Sequence, residues 1–434
     1  MNGQPLSNAA AETSTFVIPE RVLYLDTAAM GPPLCAVRKA ADAALHQGPL
    51  SGFSVDWRER VERVRTMAAQ LFDGDADAVA LVPSAAYGLS VAARNVPLRH
   101  AEAVLVLEGQ FPSNLLAWQQ RCVQVGARLV TVRRDAQHDW TAAVLAALDA
   151  DPAITVLALP NVYWLDGTVL DLTTIARSAH ARGACLVLDL SQSLGALPVD
   201  IATLRPDFVV AVGYKWLLGP YGLAYLWAAP RWRESRTRLE YGWMAHDHDA
   251  LWQPRQNTRA APLPGARRFD ADGVCDDMRL AMAEAALAQI LTWNVSSIAA
   301  ALGERTDAFI DALRTHGLED WLPPGEVAHF CALQPPQSAD TQWADTLATA
   351  LRNQDVVFTL RHGRLRFAPH LHVSITQMQA LAARIASFVQ LMNWAVDVAQ
   401  IPLVLWPGIS KWVSMLVGVQ RPIRFATSSD SQTT

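Results

Sequence analysis

The chain has 434 residues, 51% of them hydrophobic, and a net charge of −5. That length permits more than one core, and the mild acidity gives no basis for a nucleic-acid or anionic-membrane partner. Cys35, Cys122, Cys185, Cys275 and Cys331 are odd in number and form no CxxC pair, which argues against a disulfide framework or a zinc site.

In chain order, residues 1–20 are polar, lack an apolar signal core and read as a flexible lead. With the scattered cysteines they point to a reducing, cytoplasmic setting. RVLYLDTAAMGPP (21–33) predicts a short strand running into a small-residue turn. LCAVRKAADAALHQG then has helical spacing up to a glycine stop at Gly48. From residue 78, seven apolar runs alternate with helical patterns: AVALVP, AVLVLEG, ARLVTVRR, ITVLALP, ACLVLDL, DFVVAVG and LAYLWAA. These runs are apolar throughout, not alternating. That is the signature of a mainly parallel sheet covered by helices on both faces, an α/β architecture.

Helical spacing from about 276 leads to a second α/β region. The expected division is a flexible segment 1–20, a large domain 21–294 and a small C-terminal domain 295–395, with 21–50 packing against the small one. The tail 396–434 is apolar and then polar. Its stretch 401–420 is interrupted by Pro402, Pro407 and Gly408, so it does not make an uninterrupted membrane span. It reads either as a short helix packing on the body or a second subunit, or as a segment binding a membrane surface or partner. Residues 425–434 are expected to be disordered.

Ligands of such sheets gather at the carboxyl ends of the strands. Ser84, Ala85 and Ala86 form a small-residue turn opening a helix, a place suited to an anion, although Ser84 alone reads equally as a helix cap. Phe111 follows the next run, either as core or as a ring stacked on a flat cofactor. Asn161, Tyr163, Trp164 and Asp166 follow another. Asp189 and Gln192 follow ACLVLDL, and a carboxylate there needs a partner. Lys215 lies beyond DFVVAVG. Only three of the 36 basic residues are lysines, Lys39, Lys215 and Lys411. Alone, Lys215 reads equally as a snorkelling side chain or as an amine depressed for imine formation. The combination is more telling. Pyridoxal 5'-phosphate needs a lysine, an acid for its ring nitrogen, a phosphate cradle and a stacking group, and all four occur in chain order.

The stretch YGWMAHDHDALWQPR holds Trp243, His246, His248 and Arg255, and reads as a solvated loop or a substrate entrance. Two histidines at i, i+2 without a third ligand do not make a metal site.

The series YLDTAAMGPP, SAAYGL, QFPSN, LPNVYWLDG, LDLSQSLGALPVD, PDFVVAVGYKWLLGPYG and GRLRFAPH resembles the class V aminotransferase family. This is the cysteine-desulfurase-like branch of fold-type I pyridoxal phosphate enzymes. The resemblance spans roughly 20–390. It implies a large domain around a seven-stranded type of sheet, a smaller α/β domain, and a homodimer with the active site at the subunit interface. It implies that Lys215 forms the internal aldimine and shuttles the Cα proton, that Asp189 pairs with the pyridinium nitrogen, and that Gln192 bonds the ring 3-oxygen. Phe111 would stack on the ring. Ser84, Ala85 and Ala86 would cradle the phosphate with Tyr214. Asn161 would touch cofactor or substrate, and Arg366 would grip the substrate α-carboxylate.

Departures qualify the expected activity. No cysteine stands in NQDVVFTLRHGRLRF before Arg366, so persulfide-forming desulfuration is not expected. DGVCDD (272–277) replaces the family pattern at the segment that reaches the partner's site, and Val373 stands where many relatives carry asparagine. The expected function is an amino-acid aminotransferase or β-eliminating lyase acting through an external aldimine and quinonoid. The alternatives are an epimerase or a non-catalytic relative that serves as a binding partner.

Overall fold

A computed structural model describes residues 13–51, 56–134, 139–234, 237–254, 260–274, 276–336 and 342–399. The predicted tail segments 401–420 and 425–434 lie outside them, as do Arg255 and Cys275.

All seven apolar runs are strands of one sheet. They are β2 (Val79–Val82), β3 (Ala103–Leu107), β4 (Arg128–Val132), β5 (Ile154–Pro160), β6 (Cys185–Asp189), β7 (Phe208–Val212) and β8 (Ala224–Ala228), preceded in the chain by β1 (Leu23–Tyr24). The spatial order is β2-β8-β7-β6-β5-β3-β4, with β8 antiparallel to both neighbours and the other strands parallel.

The apolarity of six of these strands has a simple cause, both faces being covered; the edge strand β4 departs from the expectation, with Arg128 and Thr131 exposed. One face packs with α3 (Ala85–Asn95) and α4 (Pro112–Val125). The other packs with α1 (Cys35–Ser51), α2 (Asp56–Ala69), α5 (Trp140–Ala150), α6 (Leu172–Ala181) and α9 (Asp277–Trp293). Neighbouring residues of a strand serve opposite layers, as Val104 and Leu105 do. Short helices α7 (Ile201–Leu204) and α8 (His248–Leu251) lie in connections. Asp139, Asp171, Asp200 and Asp276 cap the starts of α5, α6, α7 and α9.

The helix stop expected at Gly48 is not made. Helix α1 continues past Gly48 to Ser51; glycine permits a stop there but does not impose one.

The remaining elements form a second cluster. They are α10 (Val295–Thr315), β9 (Cys331–Leu333), α11 (Trp343–Arg352), β10 (Val356–Val357), β11 (Thr359–Arg361), β12 (Arg364–Phe367) and α12 (Ile375–Ala399). The first half of α10 (Ile298, Ala301, Leu302) packs in the main core instead. Helices α9 and α10 meet at Asn294, where the axis turns by 76°. Strand β1 pairs in parallel with β10, so the N-terminal segment joins this cluster, while α1 packs on α9. Strands β11, β12 and β9 form an antiparallel sheet. Among the described residues no single helix is long and apolar enough to cross a membrane.

A buried ion pair ties α2 to the loop before α9. Arg65 grips both carboxylate oxygens of Asp270 at 3.0 and 2.7 Å, and Asp270 also accepts the Leu81 N–H at 2.8 Å. The acids of 272–277 are likewise engaged within the chain. Asp272 accepts backbone N–H groups of Trp243 and Met244, Asp276 caps α9, and Asp277 pairs with Arg60.

Candidate active site

The carboxyl ends of the parallel strands open into a cavity of about 310 Å³, the lower end of the range that holds small ligands. Of the ten candidate residues, eight line it: Ser84, Ala85, Ala86, Phe111, Asp189, Gln192, Tyr214 and Lys215. They arrive there because β2, β3, β6 and β7 run in the same direction and end at the same rim.

Lys215 follows β7 and is 6% exposed. Burial pushes its amine down to about 8; Asp189 opposes the shift, and the charges of Arg366 and Arg361 add to it. Its Nζ lies 5.2 Å from the centre of the Phe111 ring. The turn bearing Lys215 is held from outside by Gly31, whose N–H donates to the Tyr214 carbonyl at 2.7 Å. A Cβ on Gly31 would stand 2.2 Å from the Lys215 carbonyl oxygen, so only glycine permits this approach.

Asp189 ends β6, in register with Pro160 on β5 and Val210 on β7. Its Oδ1 accepts the Ser191 N–H at 3.0 Å, which orients the carboxylate and leaves Oδ2 without a hydrogen bond among the described residues. The Gln192 side chain donates to the Ala28 carbonyl at 2.9 Å and accepts the Trp216 indole N–H at 3.0 Å. That pairing sets the amide orientation and leaves one N–H of Nε2 unused. Ser84 caps α3 with its Oγ on the Tyr87 N–H, so the N–H groups of Ala85 and Ala86 stand at the helix start without intrahelical acceptors. Tyr214 packs on Tyr221, ring centres 4.5 Å apart.

Two candidates do not line the cavity. Asn161 turns its Oδ1 to the Ser193 hydroxyl at 2.6 Å. Arg366 is behind the wall, with Nη1 donating to the Trp164 carbonyl at 2.7 Å. Its Nη2 makes only long contacts, 3.5 Å to Asp26 and 3.4 Å to Thr359, and its buried Nε has no partner among the described residues. The Nε–Nη2 edge is thus the weakly held side of the fork, Nε without a partner among the described residues and Nη2 on long bonds that a carboxylate could replace with two parallel ones.

Sequence reasoning passed over one cavity residue with a clear physical signature. Asn114 is fully buried, its Oδ1 accepts the Trp118 indole N–H at 3.2 Å, and its Nδ2 has no partner among the described residues. A buried donor left unpaired beside a cavity asks for an acceptor in that cavity. The signal was its position three residues after Phe111, on the same side of α4's first turn. Other residues at strand ends have structural jobs. Asp166 pairs with Arg134 and Thr168, and Tyr163 donates to the Glu108 carbonyl. His248 stacks against Trp57, and His246 bonds the Gly242 carbonyl.

The model of the aminotransferase class V family matches residues 24–258, more than half of the sequence. The chain belongs to the class V aminotransferase family. Curated relatives include a kynureninase from Deinococcus radiodurans, 30% identical over 61% of this chain and 64% of that protein. An isopenicillin N epimerase from Streptomyces clavuligerus is 24% identical over 59% and 65%. A cysteine desulfurase from Klebsiella pneumoniae is 29% identical over 56% and 58%. The chain therefore spans less than two thirds of each of these three. Among solved structures, a C-DES variant with glycine covalently linked to its PLP cofactor superposes with a TM-score of 0.74, at 17% identity, over 87% of this chain and 99% of that one. Apo cysteine desulfurase from Thermococcus onnurineus gives 0.72 at 16% identity over 88% and 98%. These likenesses establish the fold-type I architecture.

As a class V family member, the chain can be tested for fit to pyridoxal phosphate. The cavity presents a depressed amine, an open carboxylate oxygen, an aromatic face, free N–H groups at a helix start and the unpaired Nδ2 of Asn114. Each is of the kind an anionic, flat, aldehyde-bearing pyridine requires, so the residues present fit the group.

Proposed function

We propose that this chain is a pyridoxal phosphate enzyme acting at the α-carbon of an amino acid, as an aminotransferase or a β-eliminating lyase. The observation that carries the reading is Lys215, buried, depressed to about 8 and set beside Asp189 and Phe111 at the ends of β6 and β7.

When bound, the cofactor supplies an electron sink for the pair left on Cα after a bond there is broken. Lys215 holds the cofactor through Nζ and, once displaced by substrate, moves the proton at Cα. A pKa near 8 suits both tasks, because about one tenth of the amine is neutral at pH 7, far more than for an ordinary lysine. Asp189 holds a proton on the ring nitrogen. Gln192 donates its spare N–H, and Phe111 covers the ring and excludes water. Ser84, Ala85, Ala86, Tyr214 and Asn114 bind the phosphate end. Arg366 orients the substrate through its weakly held Nε–Nη2 edge.

Persulfide formation is disfavoured by the cysteines. Cys331 is fully buried on β9, and burial pushes its thiol well above the ordinary value, so it offers no thiolate. The site is expected to be completed across a two-fold axis in a homodimer.

The test is spectroscopic and chemical. Added pyridoxal phosphate should give a near-visible absorbance band, and borohydride reduction should fix the cofactor's mass on Lys215. Lys215→Ala should lose both. A wild-type protein that takes up no cofactor, or that is labelled equally in Lys215→Ala, overturns the reading. Product analysis separates a keto acid with aminated cofactor from pyruvate with a released β-substituent.

A further inference from the structure

We propose that the substrate carries a second anionic group besides its α-carboxylate, and that Arg361 receives it. This rests on the reading that Lys215 carries the cofactor and Arg366 takes the α-carboxylate.

The two arginines belong to one hairpin. Strands β11 and β12 are joined by His362 and Gly363, both with positive φ, 50° and 71°, as a tight two-residue turn requires. The turn locks the register, pairing Thr359 with Arg366 and Arg361 with Arg364. Residues two apart on a strand share a face, so Arg361 and Arg366 are diagonal neighbours on one side of the small sheet.

Both address the same residue of the cavity wall. Arg366 bonds the backbone carbonyl of Trp164 at 2.7 Å, while the Arg361 guanidinium lies 5.3 Å above its indole ring. Trp164 is itself fixed. Its indole N–H donates to the Gly109 carbonyl at 2.8 Å, and its ring meets Phe111 edge-on at 5.4 Å. The indole thus holds Arg361 at the cavity wall without neutralising it.

The Arg361 charge is compensated only at a distance, by Asp26, which also serves Arg366. Asp26 is the neighbouring acid, and its Oδ1 is shared between Thr359, at 2.6 Å, and Arg366. Arg361 has no hydrogen bond or ion pair among the described residues and sits exposed, close enough for its charge to be felt at Lys215. A planar guanidinium free on a rigid support, one diagonal step from the α-carboxylate fork, suits a side-chain carboxylate or phosphate.

The cofactor-loaded full chain, titrated with alanine, aspartate, glutamate and O-phosphoserine, tests this through the apparent Kd read from the cofactor band. At least one acidic amino acid should bind ten-fold or more tighter than alanine. Tightest binding of O-phosphoserine would identify the second anion as phosphate, and of aspartate or glutamate as carboxylate. Arg361→Gln should shrink the preference below three-fold, and Arg361→Lys should retain part of it. Equal affinities in the wild type, or a preference unchanged in Arg361→Gln, overturn the inference alone. Absence of any cofactor band overturns the reading of Lys215 and this inference with it.

Discussion

Trp216 donates its indole N–H to the side-chain oxygen of Gln192 at 3.0 Å, and both side chains are buried. His329 adds a second hold, its Nε2–H donating to the Gln192 carbonyl at 2.7 Å. Gln192 is therefore oriented by packing before any ligand arrives, with its free N–H at the cavity. Trp216→Phe keeps most of the volume and removes the donor. It should weaken pyridoxal phosphate binding about three- to ten-fold and cost about 1–3 kcal/mol of stability, the penalty for an unpaired buried amide oxygen. Cofactor titration and urea midpoints measure both. Unchanged cofactor affinity would remove the positioning role from Trp216.

Lys215 makes cofactor-free protein sensitive to alkaline pH in a defined direction. Its folded value, about 8, lies below the unfolded value of 10.5. Between them the unfolded chain binds more protons, so this group adds stability as pH rises from 8 to 10.5. Below pH 8 the full cost of burying the cation is present, on the order of 3 kcal/mol. Lys215→Met should be more stable than wild type at pH 7, with the difference fading toward pH 10.5. Denaturant midpoints of the two proteins across that range check it. The rate of cofactor uptake by wild type should climb to about pH 8 and then level off.

Three histidines buried together predict acid sensitivity. Burial lowers His329 to about 3 and His372 to about 4, and His370 falls well below the ordinary value. His370 meets Phe16, Trp216 and Trp293, His372 meets Phe16, and His329 meets Trp216. The unfolded histidines protonate near 6.5, so the stability these groups contribute is complete above that pH. It is lost progressively as pH falls toward 3. Neither ring nitrogen of His370 has a partner among the described residues. His370→Leu should leave stability at pH 7 unchanged or raise it by about 1 kcal/mol, and should move the acid unfolding midpoint downward. A large loss at pH 7 would show that His370 has a polar partner.

Gly31→Ala tests the contact that braces the lysine turn. The added Cβ would meet the Lys215 carbonyl oxygen at 2.2 Å and Leu218 Cδ2 at 2.9 Å, so backbone must move. The expected result is a loss of about 1–3 kcal/mol, as for overpacking of a tight interior, together with slower cofactor uptake. A thermal scan and uptake kinetics give the two values. Full stability with normal uptake would mean that the N-terminal segment is free to shift.

The main sheet was legible because its cause is local and repetitive. Strands covered on both faces must be apolar at every position; six of the seven runs are such strands, and the seventh, β4, is a partly exposed edge strand. The cluster at their ends was legible for the same reason. Lys215, Asp189, Gln192, Phe111 and the Ser84 turn are each adjacent to a strand end, and parallel strands bring those ends to one rim. Helix α1 was less legible, because Gly48 carries no information about whether the next residues find a packing partner.

What the sequence by itself determined, then, was the α/β fold, the family resemblance and the principal candidates for the cofactor site, since these follow from patterns within a few residues. What only the tertiary structure decided was which atoms remain unsatisfied. Asn161 spends its oxygen on Ser193, 32 positions away, and Arg366 reaches Trp164 across 202. Among the described residues Asn114 keeps an unpaired donor, and Arg361, lying over an indole, makes no hydrogen bond or ion pair. Hydrogen-bond capacity is written in each side chain, but whether it is used depends on neighbours distant in the chain, and chemistry takes place at the groups left over.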